Sequence, residues 1–74
     1  MLKVGQKVRF TDINRHETMP WCYPFAGQIG TIIKVNRSIL VDWGEDSGVE
    51  YNEVYDNYSW WCMGEMLEAV DADN

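Results

Sequence analysis

Short runs in which apolar and polar residues alternate recur along this chain, and they predict β-strands rather than helices. In the first run, Val8 and Phe10 alternate with Lys7 and Arg9, which is the period of a half-buried strand. Similar β-rich runs at residues 28–35, 39–43 and 59–63 predict three more strands. No run has apolar residues at helical spacing over the length that a stable helix needs.

The segments between these runs predict the connections. Residues 12–26 are a polar and then proline-bearing loop, and residues 36–38 are a short polar break that predicts a hairpin. Residues 44–58 form a long acidic connection that carries tyrosines. Residues 64–67 predict one helical turn, residues 68–70 a short closing strand, and residues 71–74 a frayed tail.

With 74 residues the chain has room for one small domain, which we place at residues 1–70. The predicted fold class is all-β, a small SH3-like barrel of four to five strands with one short helical turn before the last strand. Closing a small sheet in this way protects its edges, which a flat four-stranded sheet leaves open.

Three segments carry a resemblance to known small barrels. Residues 4–10 (VGQKVRF) resemble the opening strand of many SH3-like barrels, and residues 24–32 (PFAGQIGTI) are similar to the core of the KOW motif. Residues 61–70 (WCMGEMLEAV) resemble the end of such barrels, where a helical turn with a buried leucine precedes the final strand.

This resemblance implies several different functions. KOW-type relatives bind RNA or protein, mind-bomb-type barrels bind protein, and tudor-type barrels bind methylated side chains. The chain lacks the basic excess of the RNA-binding members, which argues against nucleic acid as a partner. Its size and acidity also resemble the small accessory proteins of phages and mobile elements.

Charge is distributed unevenly along the chain. Six bases and two acids precede residue 42, a net charge of +4, whereas ten acids and no Lys or Arg occupy residues 42–74, a net charge of -10. This asymmetry indicates an acidic surface in the later half that faces a basic partner, or else charges that intermix once the chain is folded.

Aromatic residues are the second unusual feature, because four tryptophans and four tyrosines exceed what so small a core needs. Strand alternation places Trp60 and Trp61 on opposite faces. Either the long loops cover the outer ring, or the rings form an exposed groove for a peptide. A narrower version is a methyl-lysine cage built from Trp43, Tyr51 and Tyr55 with an acid nearby.

We therefore predict a non-catalytic protein-binding module whose partner has a basic surface. Two alternatives stay open: an acidic inhibitor that mimics nucleic acid on a basic enzyme, and weak RNA binding as in KOW relatives. The predicted contact residues combine the acids of the connection with aromatic side chains, and they are Trp43, Glu45, Asp46, Glu50, Tyr51, Glu53, Tyr55, Asp56, Tyr58 and Trp60.

Other chemistry has little support in the sequence. His16 is the only histidine, and Cys22 and Cys62 form no CxxC pair, so we predict no metal, no cofactor and no catalytic site. Both cysteines are expected to be buried. The chain has no apolar run of signal-peptide or bilayer-spanning length, so we expect a cytoplasmic protein without a membrane partner. Homodimer formation through exposed aromatic surface stays open.

Overall fold

A computed structural model describes residues 2–11, 24 and 27–70 of the chain. These residues form five β-strands and two single-turn 3₁₀ helices, at Glu45–Ser47 and Gly64–Met66. The strands are β1 (Lys7–Phe10), β2 (Ile29–Val35), β3 (Ile39–Asp42), β4 (Ser59–Cys62) and β5 (Leu67–Ala69). The helical turn before the last strand is therefore present, although it ends one residue earlier than predicted.

All five strands belong to one antiparallel sheet in the order β4-β3-β2-β1-β5. Successive strands from β1 to β4 are neighbours, and β5 returns to pair with β1, so β4 and β5 are the outer strands. Ile33 is an extra residue opposite β3, where the register shifts between Ile32 and Lys34. Such a bulge increases the bend of a sheet. The all-β prediction is confirmed.

The core lies on one face of this bent sheet. Val8 and Phe10 of β1 are fully buried, as the alternation in that strand predicts. They pack in one cluster with side chains from the other four strands and from the connection after β3, namely Ile32, Ile39, Val41, Trp43, Val49, Cys62 and Leu67. Cys62 is buried as expected, whereas Cys22 lies outside the described residues.

The buried face of β2 is not the one that its apolar alternation suggests. Ile29 and Val35 are 40% and 41% exposed, whereas Gly30 and Ile32 are buried. A β-carbon on Gly30 would lie 2.6 Å from the Trp43 ring. The large indole occupies the space above a residue that has no side chain, so Gly30 turns inward.

The two tryptophans of β4 lie on opposite faces, as strand alternation requires. Trp60 pairs with Val41 and packs against the core cluster, and Trp61 pairs with Leu40 on the other face. Both indoles are partly buried, and Leu40 is fully buried. Trp60 is therefore the ring of the pair that packs against the core cluster, and it keeps part of its surface exposed.

Residues 36–38 join β2 to β3 as the expected hairpin. The predicted loop at 12–26 and the predicted tail at 71–74 lie largely or wholly outside the described residues. In the described part of the chain, no helix is long and apolar enough to cross a membrane.

Candidate protein-binding surface

The acidic connection between β3 and β4, residues 44–58, is an ordered part of the domain, and we call it the acidic loop. Val49 is 4% exposed and belongs to the core cluster, and Ser47 is 2% exposed. The Ser47 hydroxyl donates to the Gly44 carbonyl oxygen at 2.7 Å and accepts the Val49 N–H at 3.2 Å. The first half of the loop is thus anchored in the core, because these bonds satisfy the polar groups that it buries.

The second half of the loop is a tight turn closed by two asparagines. Asn52 and Asn57 form a β-bridge, with the Asn52 N–H donating to the Asn57 carbonyl at 2.7 Å. The Asn52 side-chain oxygen accepts the N–H of Val54 at 3.0 Å. This Asx-type bonding holds residues 53–56, which we call the acidic tip, in one conformation.

The same asparagines fasten the turn to the sheet. The Asn52 side-chain amide donates to the Ser59 carbonyl at 2.8 Å, and the Ser59 N–H donates to the Asn57 side-chain oxygen at 3.1 Å. Ser59 begins β4, which is an outer strand, so two side chains satisfy its outward-facing backbone groups. The acidic tip is therefore held in a fixed position at this edge of the sheet.

Aromatic rings lie between the acids of the loop. The Tyr51 and Tyr58 rings meet edge to face at 5.3 Å, and the Tyr51 hydroxyl donates to the Asp56 carboxylate. The Trp60 indole N–H donates to the Glu50 carbonyl at 2.6 Å, which ties the loop to β4. Tyr51 is 43% exposed, so part of this aromatic surface faces solvent.

Tyr55 already contacts a cation in this fold. The Lys34 ammonium lies 5.7 Å from the centre of its ring, within the range of a cation–π interaction. The contact shows that a basic group can approach the face of this ring at the edge of the acidic tip.

The acids of the loop are exposed, and none of them forms an ion pair with another described residue. Within residues 2–11, 24 and 27–70, the one ion pair joins Arg9 Nη1 to Glu68 at 2.7 Å, and neither residue belongs to the loop. All five loop carboxylates are exposed: Glu45, Asp46, Glu50, Glu53 and Asp56. The negative charge that the sequence concentrates in its later half is thus presented to solvent on this loop.

Trp43 is the predicted contact residue that the structure moves elsewhere. It is 3% exposed and meets Phe10 edge to face at 5.7 Å. It lies two residues after Val41 on the core face, and Gly30 leaves the space that its ring fills. We correct its assignment from the contact surface to the core, which also removes a wall of the predicted methyl-lysine cage.

The remaining predicted contact residues share one region of the chain and of the fold. The structure places them on the acidic loop or at the start of β4, with the acids exposed and Tyr55, Tyr58 and Trp60 partly buried. Sequence reasoning did not single out Asn52 and Asn57, which shape the tip. The sequence does contain a signal for these two residues, because asparagine is typical of turns that its own side chain closes.

Cys62 is the one thiol among the described residues, and its surroundings keep it protonated. Burial raises its pKa from 9.0 to about 12, and the nearby Trp43 indole opposes part of that rise. The Trp43 indole nitrogen is buried and has no hydrogen-bond partner among the described residues. A neutral buried thiol is a poor nucleophile. Within the described ranges no three His, Cys, Asp or Glu side chains come together as a metal ion requires.

A second concave surface lies beside β1 and β5, and the sequence did not indicate it. This cleft, of about 620 Å³, combines the bases Lys3 and Lys7 with the apolar side chains of Val4, Ala69 and Val70. It is formed by the first and last described segments of the chain, which meet because β5 pairs with β1.

Comparison with known proteins adds no identification. No family model, no curated protein and no solved structure matches this chain.

Proposed function

We propose that this chain is a non-catalytic protein-binding module whose acidic loop, together with Trp60, contacts a basic segment of another protein. One observation carries the proposal: five exposed carboxylates without an ion-pair partner among the described residues surround tyrosine rings on an ordered loop. Carboxylates attract arginine and lysine, and the ring faces accept their cations.

The rigidity of the loop supports this function. Val49 and Ser47 are buried, and Asn52 and Asn57 bind the tip to Ser59. A partner therefore does not have to order the loop on binding, and the ordering cost that weakens flexible surfaces is small here. The Lys34–Tyr55 contact supplies an internal example of the chemistry that a basic partner would repeat.

A titration with synthetic peptides tests the proposal. The probes are a decapeptide of alternating arginine and glycine and its aspartate counterpart, followed by two-dimensional amide NMR. We expect the arginine peptide to shift the amides of residues 50–58 and the Trp60 indole N–H, and the aspartate peptide to shift neither. Shifts from the arginine peptide that lie wholly outside the loop would contradict the proposal.

Two variants of equal net charge distinguish binding at the acidic tip from attraction of the peptide to the overall negative charge of the chain. Glu53→Gln with Asp56→Asn removes two charges from the acidic tip, and asparagine tolerates the positive φ of 56° at Asp56. Glu65→Gln with Asp73→Asn removes two charges outside the acidic loop and leaves the Arg9–Glu68 ion pair in place. We expect the tip variant to weaken peptide binding at least threefold more than the control. Equal weakening would show that only net charge matters.

The competing function, mimicry of nucleic acid, rests on the same exposed carboxylates. It requires negative charge but not aromatic rings, because the mimicked groups are phosphates. Tyr55→Ala changes no charge, so a loss of binding in this variant favours docking of a basic protein segment. Unchanged binding together with a steep loss of affinity in salt favours mimicry.

A further inference from the structure

The cleft beside β1 and β5 has a built shape and a definite chemical character. Val4 is 62% exposed, and Ala69 is exposed beside it. The Gly5 N–H donates to the Ile32 carbonyl at 2.8 Å, and the Val70 N–H donates to the Lys7 carbonyl at 3.0 Å. Backbone bonds to the sheet therefore hold both walls of the cleft.

Two lysines make the cleft basic. Lys3 and Lys7 both line it, and the Lys7 ammonium is held by the Thr31 hydroxyl at 2.7 Å. Neither lysine has an ion-pair partner among the described residues. An occupant that suits this cleft needs an apolar side chain with carboxylates next to it.

The acidic tip has this composition. Val54 is 83% exposed, the highest exposure of any large apolar side chain in the described part of the fold. Glu53 precedes it and Asp56 follows two residues later, and both carboxylates are exposed. The asparagine bonds that close the turn present these three side chains together without any rearrangement.

We propose that the acidic tip of one copy of this chain docks into the cleft of a second copy. Val54 would cover the apolar surface of Val4 and Val70, while Glu53 and Asp56 approach Lys3 and Lys7. The inference shares the acidic tip with the proposed function, and it names a second copy of the chain as one basic partner of that tip.

The contact forms between copies rather than within one chain. The tip is bonded to β4, whereas the cleft is formed by β1 and β5, and β4 and β5 are the two outer strands of the sheet. Within one chain the tip does not cover the cleft, because Val54 is 83% exposed, Val4 is 62% exposed, and neither Lys3 nor Lys7 has an ion-pair partner among the described residues. Tip and cleft are different surfaces, so the contact is heterologous.

Carbodiimide coupling tests the contact directly, because it joins only amines and carboxylates that touch. An equal mixture of ¹⁴N- and ¹⁵N-labelled protein is coupled at submillimolar concentration, digested and analysed by mass spectrometry. We expect peptides linking Lys3 or Lys7 to Glu53 or Asp56, with about half of these pairs carrying mixed labels. Links without mixed labels, or links from these lysines only to other acids such as Asp71 and Asp73, would overturn the proposal.

A charge exchange provides an independent test by sedimentation velocity. Glu53→Lys and Lys3→Glu each place like charges at the contact, so we expect each variant alone to lose self-association. Mixing them restores it, because the native tip of the Lys3→Glu variant meets the native cleft of the Glu53→Lys variant, and the exchanged residues also form a pair of opposite charges. A mixture that sediments as monomer under conditions where the unmodified chain associates would refute the contact, as would an unmodified chain that stays monomeric at one millimolar.

A cleft variant also separates this inference from the proposed function. Lys3→Glu leaves the acidic loop unchanged, so it keeps its affinity for the arginine peptide if the proposed function is right. Loss of self-association with retained peptide binding therefore supports both proposals. Retained self-association overturns only the contact described here. Arg37→Glu serves as the matched control, because it makes the same charge change at an exposed position outside both surfaces.

Discussion

The packing of Trp43 over Gly30 makes one substitution unusually informative. In Gly30→Ala, the new β-carbon would lie 2.6 Å from the Trp43 ring, 2.7 Å from a Val41 methyl and 2.9 Å from the Asp42 carbonyl oxygen. Two of these atoms belong to core side chains and the third belongs to the backbone of β3. No single rotamer change relieves all three, so the β2–β3 pair has to move apart.

The cost of this change follows from overpacking a buried site, which destabilises a protein by about 1–3 kcal/mol. The loss of glycine flexibility in the unfolded chain offsets only about 0.4–1 kcal/mol of this amount. For a domain of this size, each 1 kcal/mol lowers the melting temperature by roughly 4–8 °C. We therefore expect Gly30→Ala to lower the unfolding free energy measured in urea by about 1–2 kcal/mol.

Gly64→Ala is the matched control for that experiment. Its nearest contact to a new β-carbon is an Ile39 methyl at 3.7 Å, an ordinary separation, and its backbone is not in the left-handed region. We expect its stability to equal or slightly exceed that of the unmodified chain. The reasoning is refuted if both variants unfold at the same urea concentration, because the two differ in contact distance and not in chemistry.

Two further predictions concern Cys62 and the acidic tip. Burial raises the pKa of the Cys62 thiol from 9.0 to about 12, with Trp43 opposing the rise. The contribution of the neutral thiol to the unfolding free energy is therefore fully present below pH 9 and is lost as the pH rises toward 12. In urea unfolding, the stability difference between the unmodified chain and Cys62→Ala should narrow above pH 9, and a constant difference would contradict this. Asn52→Asp keeps the acceptor for Val54 and loses the donor to Ser59, whereas Asn52→Ala loses both. In urea unfolding at high salt, which screens the charge that Asn52→Asp adds, we expect losses of about 1 and about 2 kcal/mol respectively, and equal losses would show that the Val54 bond contributes nothing.

The strands were predictable because their signal is local. Val8 and Phe10 alternate with charged residues, and the polar break at residues 36–38 separates two β-rich runs. Each of these features depends on a few adjacent residues, so it is present in the sequence before any tertiary contact forms. The pairing of β5 with β1 joins residues about sixty positions apart, so the closing strand at residues 68–70 could be predicted from the sequence but its partner strand could not.

The site was less predictable because its residues depend on contacts between strands. Trp43 stands beside acids in the sequence and was assigned to the binding surface for that reason. Ile39, Val41 and Trp43 follow one another at two-residue steps, which indicates that Trp43 lies on the core face instead. The space above Gly30, on another strand, accommodates the Trp43 ring there. The cleft has no local signal, because the segments that form it lie at the two ends of the described chain.

The separation of charge along the chain becomes a separation of surfaces in the fold. Lys3 and Lys7 line the cleft, whereas Arg9 is paired with Glu68 and Lys34 lies over Tyr55. These four bases therefore have different surroundings in the fold. The loop acids, in contrast, stand together on one ordered turn, and their mutual repulsion is not offset by any ion pair among the described residues. A basic partner would relieve that repulsion on binding, and this is the electrostatic basis of the proposed function.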